Sequence, residues 1–187
     1  MSQFLSNRIT FSIFCGLGLL VCGARAQATD IPSNIGPSTL VINSDSELTG
    51  NVTCNVTGAP CITFGLPGIT LRLNGFTITG PAEPLNPTTG CTSTTVFAPE
   101  DGIEVQQDSV TILGPGHIQK FRRWGILLGY FPLGTNPLIK HVAVKHVTIS
   151  ETCFSGMQTS GITDSKIEGN IFARDAGGSD GFSCGGT

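Results

Sequence analysis

Charge is scarce in this chain. Asp, Glu, Lys and Arg make up 12% of its 187 residues, about half of the roughly 25% found in an average soluble domain. The formal net charge is −3, and no Lys/Arg cluster dense enough to displace counterions is present, which argues against a nucleic-acid partner. There is no Cys-x-x-Cys and no His close to a Cys, so a zinc site lacks its ligand spacing. No adjacent Asp-Asp pair occurs, and no Ser-His-Asp arrangement can be traced. Apolar runs are absent beyond one near the start. What the chain has instead is 25 glycines and strands rich in Thr, Ile and Val. Turn formers and β-branched residues with few charges indicate an all-β extracellular protein.

The one long apolar run, residues 9–23, follows Arg8 and precedes Ala24-Arg25-Ala26, a small-x-small cleavage pattern. Residues 1–26 therefore read as a secretory signal peptide. A membrane anchor is the competing reading, but the run is short for a bilayer span. Cys22 would suit lipoprotein processing, but Val21 stands before it where a small residue is wanted. Residues 27–187 remain as one domain, secreted to an extracellular or periplasmic space and without a membrane span after cleavage. Their cysteines are Cys54, Cys61, Cys91, Cys153 and Cys184, and an oxidising compartment makes disulfides the default. Cys54 and Cys61 flank a short turn and form the expected pair. Cys91 with Cys153 is a second pairing, which leaves Cys184 over. Asn51-Val-Thr53 and Asn55-Val-Thr57 are formal glycosylation sequons that matter only in a eukaryotic host.

The chain is organised around residues 69–80. Ile69, Leu71 and Leu73 alternate with Thr70 and Arg72, then Asn74-Gly75 turns the chain before Phe76 and Ile78 resume the period of two. Alone, this is a hairpin signal. Similar blocks recur at residues 110–118, 142–149 and 162–172, and repetition favours stacked units over one hairpin. The glycines that open these units, Gly102, Gly125, Gly156 and Gly181, lie 23, 31 and 25 residues apart. Such a unit, with three short strands, matches one coil of a parallel β-solenoid. Residues 27–38, with Pro32 and Pro37, read as an extended lead-in, and residues 39–52 as an incomplete first coil. Two loops, 81–99 and 129–137, interrupt the stack.

Leu-Asn-Gly-Phe-Thr-Ile at 73–78, the Gly-Ile openers and Ile-Glu-Gly-Asn-Ile-Phe at 167–172 resemble the repeats of the pectin-lyase-like superfamily. That superfamily includes pectate lyases, polygalacturonases, alginate epimerases and NosD-like periplasmic proteins. The resemblance implies a single-stranded right-handed parallel β-helix of about four to five coils with two inserted loops, covering about residues 40–187. It also implies a substrate cleft along the first strand of each coil. Alternation sends Thr63, Glu104, Leu127, Gln158 and Ser183 outward there, and only Glu104 is ionisable. A glycosidase needs two carboxylates. The preceding turns add Glu100, Asp101, Lys120, Arg122, Arg123, Asp175 and Asp180.

Two readings of residues 120–124 follow. In one, Lys120, Arg122 and Arg123 meet an anionic uronate polymer and Trp124 stacks on a sugar ring. In the other, this is an exposed basic turn with Trp124 packed under the second loop. Glu104 is a catalytic base or a solvated strand residue. Asp175 and Asp180 are calcium ligands or turn formers, and no other cofactor is expected. Gly116-His117-Ile118 departs from the Gly-His-Gly of polygalacturonases, so no catalytic residue is carried over. A NosD-type copper site lacks support, because His141 and His146 differ by an odd number and point to opposite strand faces. The expected function is a secreted β-helix that binds or modifies an acidic polysaccharide, as a lyase or glycoside hydrolase if it is an enzyme. The alternative is a non-catalytic surface or adhesion scaffold. The last residues start a coil without capping it, so this edge is expected to meet further coils of a longer chain or another chain.

Overall fold

The computed structural model describes residues 27–81, 99–131, 134 and 136–173, and the backbone of 182–184. Among them there is no helix. In chain order the strands are β1 (Thr29–Ile31), β2 (Asn34–Ile35), β3 (Leu40–Ile42), β4 (Ser46–Leu48), β5 (Val52–Cys54) and β6 (Ile62–Phe64). There follow β7 (Thr70–Arg72), β8 (Thr77–Thr79), β9 (Ile103–Val105), β10 (Thr111–Gln119), β11 (Trp124–Gly129) and β12 (Ile139–Lys140). The last are β13 (Ala143–Ser150), β14 (Ser155–Ser160), β15 (Ile162–Thr163), β16 (Lys166–Glu168), β17 (Ile171–Ala173) and β18 (Phe182–Cys184).

Every pairing among the described strands is parallel. One sheet runs β3, β6, β9, β11, β14, β18. In it Leu40 is in register with Ile62, then Ile103, Ile126, Met157 and Phe182. The chain thus returns to the same face after 22, 41, 23, 31 and 25 residues. The long returns contain residues 81–99 and 129–137, the two stretches expected as loops, of which 82–98, 132, 133 and 135 lie outside the described residues. A second, curled sheet has two halves. In one, β7 pairs with β4 and with the start of β10; in the other, β8 pairs with β5 and with the end of β10. β10 and β13 pair along both halves, with a register shift between Leu113 and Gly116.

Asn74-Gly75 is a corner, not a hairpin: β7 and β8 each pair with strands above and below and not with each other. Residues 27–38 are not a lead-in. Their β1 and β2 pair with β4 and β5, and Pro32 and Pro37 fall outside the strands, where their missing N–H costs no ladder bond. His141 and His146 do not occupy opposite faces of one straight strand. His141 precedes β13 and His146 lies at the register shift within it, and both have positive φ, 57° and 56°.

Period-two alternation builds the core. Leu71, Ile112 and Val144 stack in register and are fully buried, as are Ile78, Ile118 and Ile149. Each such side chain contributes about 1.5–3 kcal/mol of hydrophobic stabilisation, and each depends on its neighbours above and below. Two of the opening glycines, Gly102 and Gly125, are required by close approach. A Cβ on Gly102 would lie 2.4 Å from the Gly125 carbonyl oxygen, and one on Gly125 would lie 2.3 Å from Ile149 and 2.8 Å from the Gly156 carbonyl oxygen.

Polar side chains at the corners tie one level to the next. Asp45 accepts the Thr70 N–H at 2.8 Å, Asp108 accepts the Lys140 N–H at 2.8 Å, and Asn170 accepts the Val147 N–H at 2.9 Å. These bonds satisfy backbone donors that a turn would otherwise leave unpaired. Cys54 and Cys61 are joined in a disulfide. Cys153 is also disulfide-bonded; Cys91 lies outside the described residues. So do residues 1–26, Asp175 and Asp180. Among the described residues no helix is long and apolar enough to cross a membrane.

Candidate functional site

β9 places Ile103 and Val105 inward, so Glu104 faces out. It stands in a register row of Val41, Thr63, Glu104, Leu127, Gln158 and Ser183. The row is not uniformly open. Val41 is 50% exposed and Thr63 and Glu104 are half-buried, whereas Leu127 and Gln158 are only 1% and 3% exposed. An extended ligand would therefore meet the first three levels.

Glu104 accepts a hydrogen bond from Gln106 Nε2 at 2.5 Å. Burial lifts its pKa above the ordinary glutamate value, and the charge of Asp101 adds to the rise; Arg123 and the Gln106 bond oppose it. Asp101 is fully buried. Arg123 Nε donates to its Oδ1 at 2.8 Å, Arg123 Nη2 donates to Oδ2, and the Trp124 backbone N–H donates to Oδ1 at 3.2 Å. Burial pushes this carboxyl upward and the guanidinium pulls it back.

The preceding residue repeats the pattern. Glu100 accepts from Arg122 Nη1 at 2.9 Å and from the Gly58 N–H at 2.8 Å. Lys120 lies 3.9 Å from Glu151. Two successive carboxylates thus meet two successive arginines one return of the chain later. All three cations singled out in the sequence face a carboxylate of the same molecule.

Trp124 is 1% exposed. The Arg123 guanidinium carbon sits 4.2 Å from its ring centre, a cation–π contact. Phe131 and Phe154 meet it edge-on at 4.9 and 5.9 Å between centroids. Among the described residues its Nε1 has no hydrogen-bond partner. Sequence pattern thus marked a group that is brought together, but as an internal clamp: Trp124 offers no free face to a sugar ring.

Beside Glu104 lies a feature that sequence reading missed. A cleft of about 290 Å³ opens at the corner after β9, lined by Gln106, Gln107, Asp108, Tyr130, Pro137 and Leu138 among others. Tyr130 donates through its hydroxyl to the Gln106 carbonyl at 3.3 Å, so Gln106 bridges the cleft and Glu104. Its signal in the sequence was faint: the chain's single tyrosine, directly after Gly129.

Among the described residues few carboxylates on this face are free. Glycoside hydrolysis needs two carboxyl groups flanking the bond, about 5–9.5 Å apart. Glu104 is available. Asp101 is sealed beneath Arg123, Glu100 is held by Arg122 and Gly58, and Asp108 spends one oxygen on the Lys140 amide. On the second sheet His117 Nε2 lies 2.7 Å from Ser150 Oγ, but Ser150 is 2% exposed. Among the described residues no His/Cys/Asp/Glu group is arranged to hold a metal ion. Compared with models of known families, with curated proteins and with solved structures, the chain matches none.

Proposed function

We propose that this chain is a secreted, right-handed parallel β-helix that binds a polysaccharide along the outward face of its opening strands without cleaving it. The β-helix reading rests on the parallel, in-register return of the chain, and its hand on the resemblance of residues 73–78 and 167–172 to pectin-lyase-like repeats. Secretion rests on the leader pattern of residues 1–26 and agrees with the Cys54–Cys61 disulfide.

One observation carries the binding role over catalysis: Glu104 is the only ionisable side chain of the outward row, and the neighbouring carboxylates are engaged by protein groups. The same pairing favours a neutral polymer over a uronate, because Arg122 and Arg123 already have partners. A glycan array, run beside reducing-end and unsaturated-uronate assays, tests this. Binding without turnover is expected. Turnover would overturn the non-catalytic role. Absence of both would leave the second reading, an adhesion or surface scaffold, which the closure of the row at Leu127 and Gln158 favours.

A further inference from the structure

We infer that the cleft at Tyr130 is a subsite for one neutral hexopyranose ring of the bound polymer, an inference that rests on the polysaccharide reading above. The size fits. At about 290 Å³ the cleft lies just under the ~300–1,000 Å³ range of small-molecule sites, enough for one ring and not for several. The lining fits as well. A pyranose presents an apolar C–H face and a rim of hydroxyls. Pro137 and the half-exposed Leu138 supply apolar surface, and Tyr130 supplies a ring with a polar tip.

Hydrogen-bonding capacity is in hand at the rim. Gln107, which lines the cleft, carries an amide that both donates and accepts. Asp108 uses Oδ1 for the Lys140 amide, which fixes the side chain and leaves Oδ2 to accept from a hydroxyl. Asp108 at the cleft places negative charge at the ring site, so a uronate carboxylate meets like-charge repulsion. Tyr130 is anchored through its hydroxyl and its backbone N–H, which donates to the Ser160 carbonyl at 3.2 Å. The platform is therefore pre-formed.

The chain's composition supplies the probe. It has one tyrosine and one tryptophan, and Trp124 is buried. In protein labelled with ¹³C in both aromatic types, Tyr130 reports the cleft and Trp124 serves as the internal control. Titration with neutral gluco-, manno- and galacto-oligosaccharides, and with oligogalacturonate, is read by both signals and by calorimetry. The expected result is a saturable Tyr130 shift with a neutral oligosaccharide, an unmoved Trp124, and about fivefold weaker binding by Gln107→Ala, the loss of one hydrogen bond. Calorimetric binding of a neutral glycan with Tyr130 unmoved would overturn the subsite and leave the polysaccharide reading standing. A Tyr130 shift with the uronate alone would overturn the neutral class. Binding of no glycan would overturn subsite and reading together.

Discussion

Asp101→Asn is the sharpest test of the clamp between β9 and β11. The substitution preserves shape and removes one charge. The new carboxamide would keep one oxygen to accept from Arg123 Nε and the Trp124 N–H, but its nitrogen would face Arg123 Nη2, donor against donor. Arg123 is only 8% exposed, so its charge would remain buried with its bidentate counter-ion gone. Removing one partner of a buried ion pair costs about 3–5 kcal/mol. A single domain has about 5–15 kcal/mol in total, so the variant should be severely weakened at neutral pH. Urea unfolding followed by fluorescence of the single tryptophan reads the clamp directly, because Trp124 sits against Arg123. Replacing both partners at once by apolar residues of similar size, Asp101→Leu with Arg123→Met, should cost much less, since an apolar replacement of both partners is often close to neutral. An Asp101→Asn stability within about 1 kcal/mol of the parent, or a double variant no better than the single, would refute the argument.

Three further outcomes follow from the same geometry. Ile112→Asp places a charge between the buried apolar side chains of Leu71 and Val144, where its desolvation is uncompensated, and should abolish cooperative melting by circular dichroism; retained melting would contradict the inward register. Replacing both Cys54 and Cys61 by Ala should lower stability by about 2–3 kcal/mol, the loop-closure value for a short disulfide loop, measured by denaturation against the oxidised parent. Glu104 has a raised folded-state pKa, so the native state holds its proton above the unfolded value of about 4.3. Its contribution to stability is therefore greatest at low pH and declines as pH rises above that value. Glu104→Gln should flatten this decline, leaving the parent and variant closest near pH ~4; an unchanged slope between about pH 4 and 7 would count against the shift.

How much of this was legible beforehand depended on range. Alternation at residues 69–73 and 103–105 is local, and it placed the inward residues correctly. Gly102 and Gly125 were legible as openers, and each admits a neighbouring backbone oxygen. β1 and β2 were missed because strands of three and two residues are too short to show a period, and the prolines beside them suggested a loop. The Arg–carboxylate clamp was half visible. Glu100-Asp101 and Arg122-Arg123 stood out as charges, but pairing them requires the 23-residue return between Ile103 and Ile126. The Tyr130 cleft has no period at all, since separate segments converge on it.

The unequal returns in the first sheet have one more implication. Between Ile62 and Ile103 the chain spends 41 residues where 22 or 23 suffice elsewhere, yet the strands on either side keep step. Length at those excursions is therefore decoupled from the stacking of the rows, as the weak dependence of closure entropy on loop size would have it. Foreign peptide inserted at either excursion should leave the architecture intact, whereas a single residue added inside β9 or β11 would turn its buried side chains toward water. Evolution, or an engineer, has room to rewrite those two excursions while the ladder beneath them stays fixed.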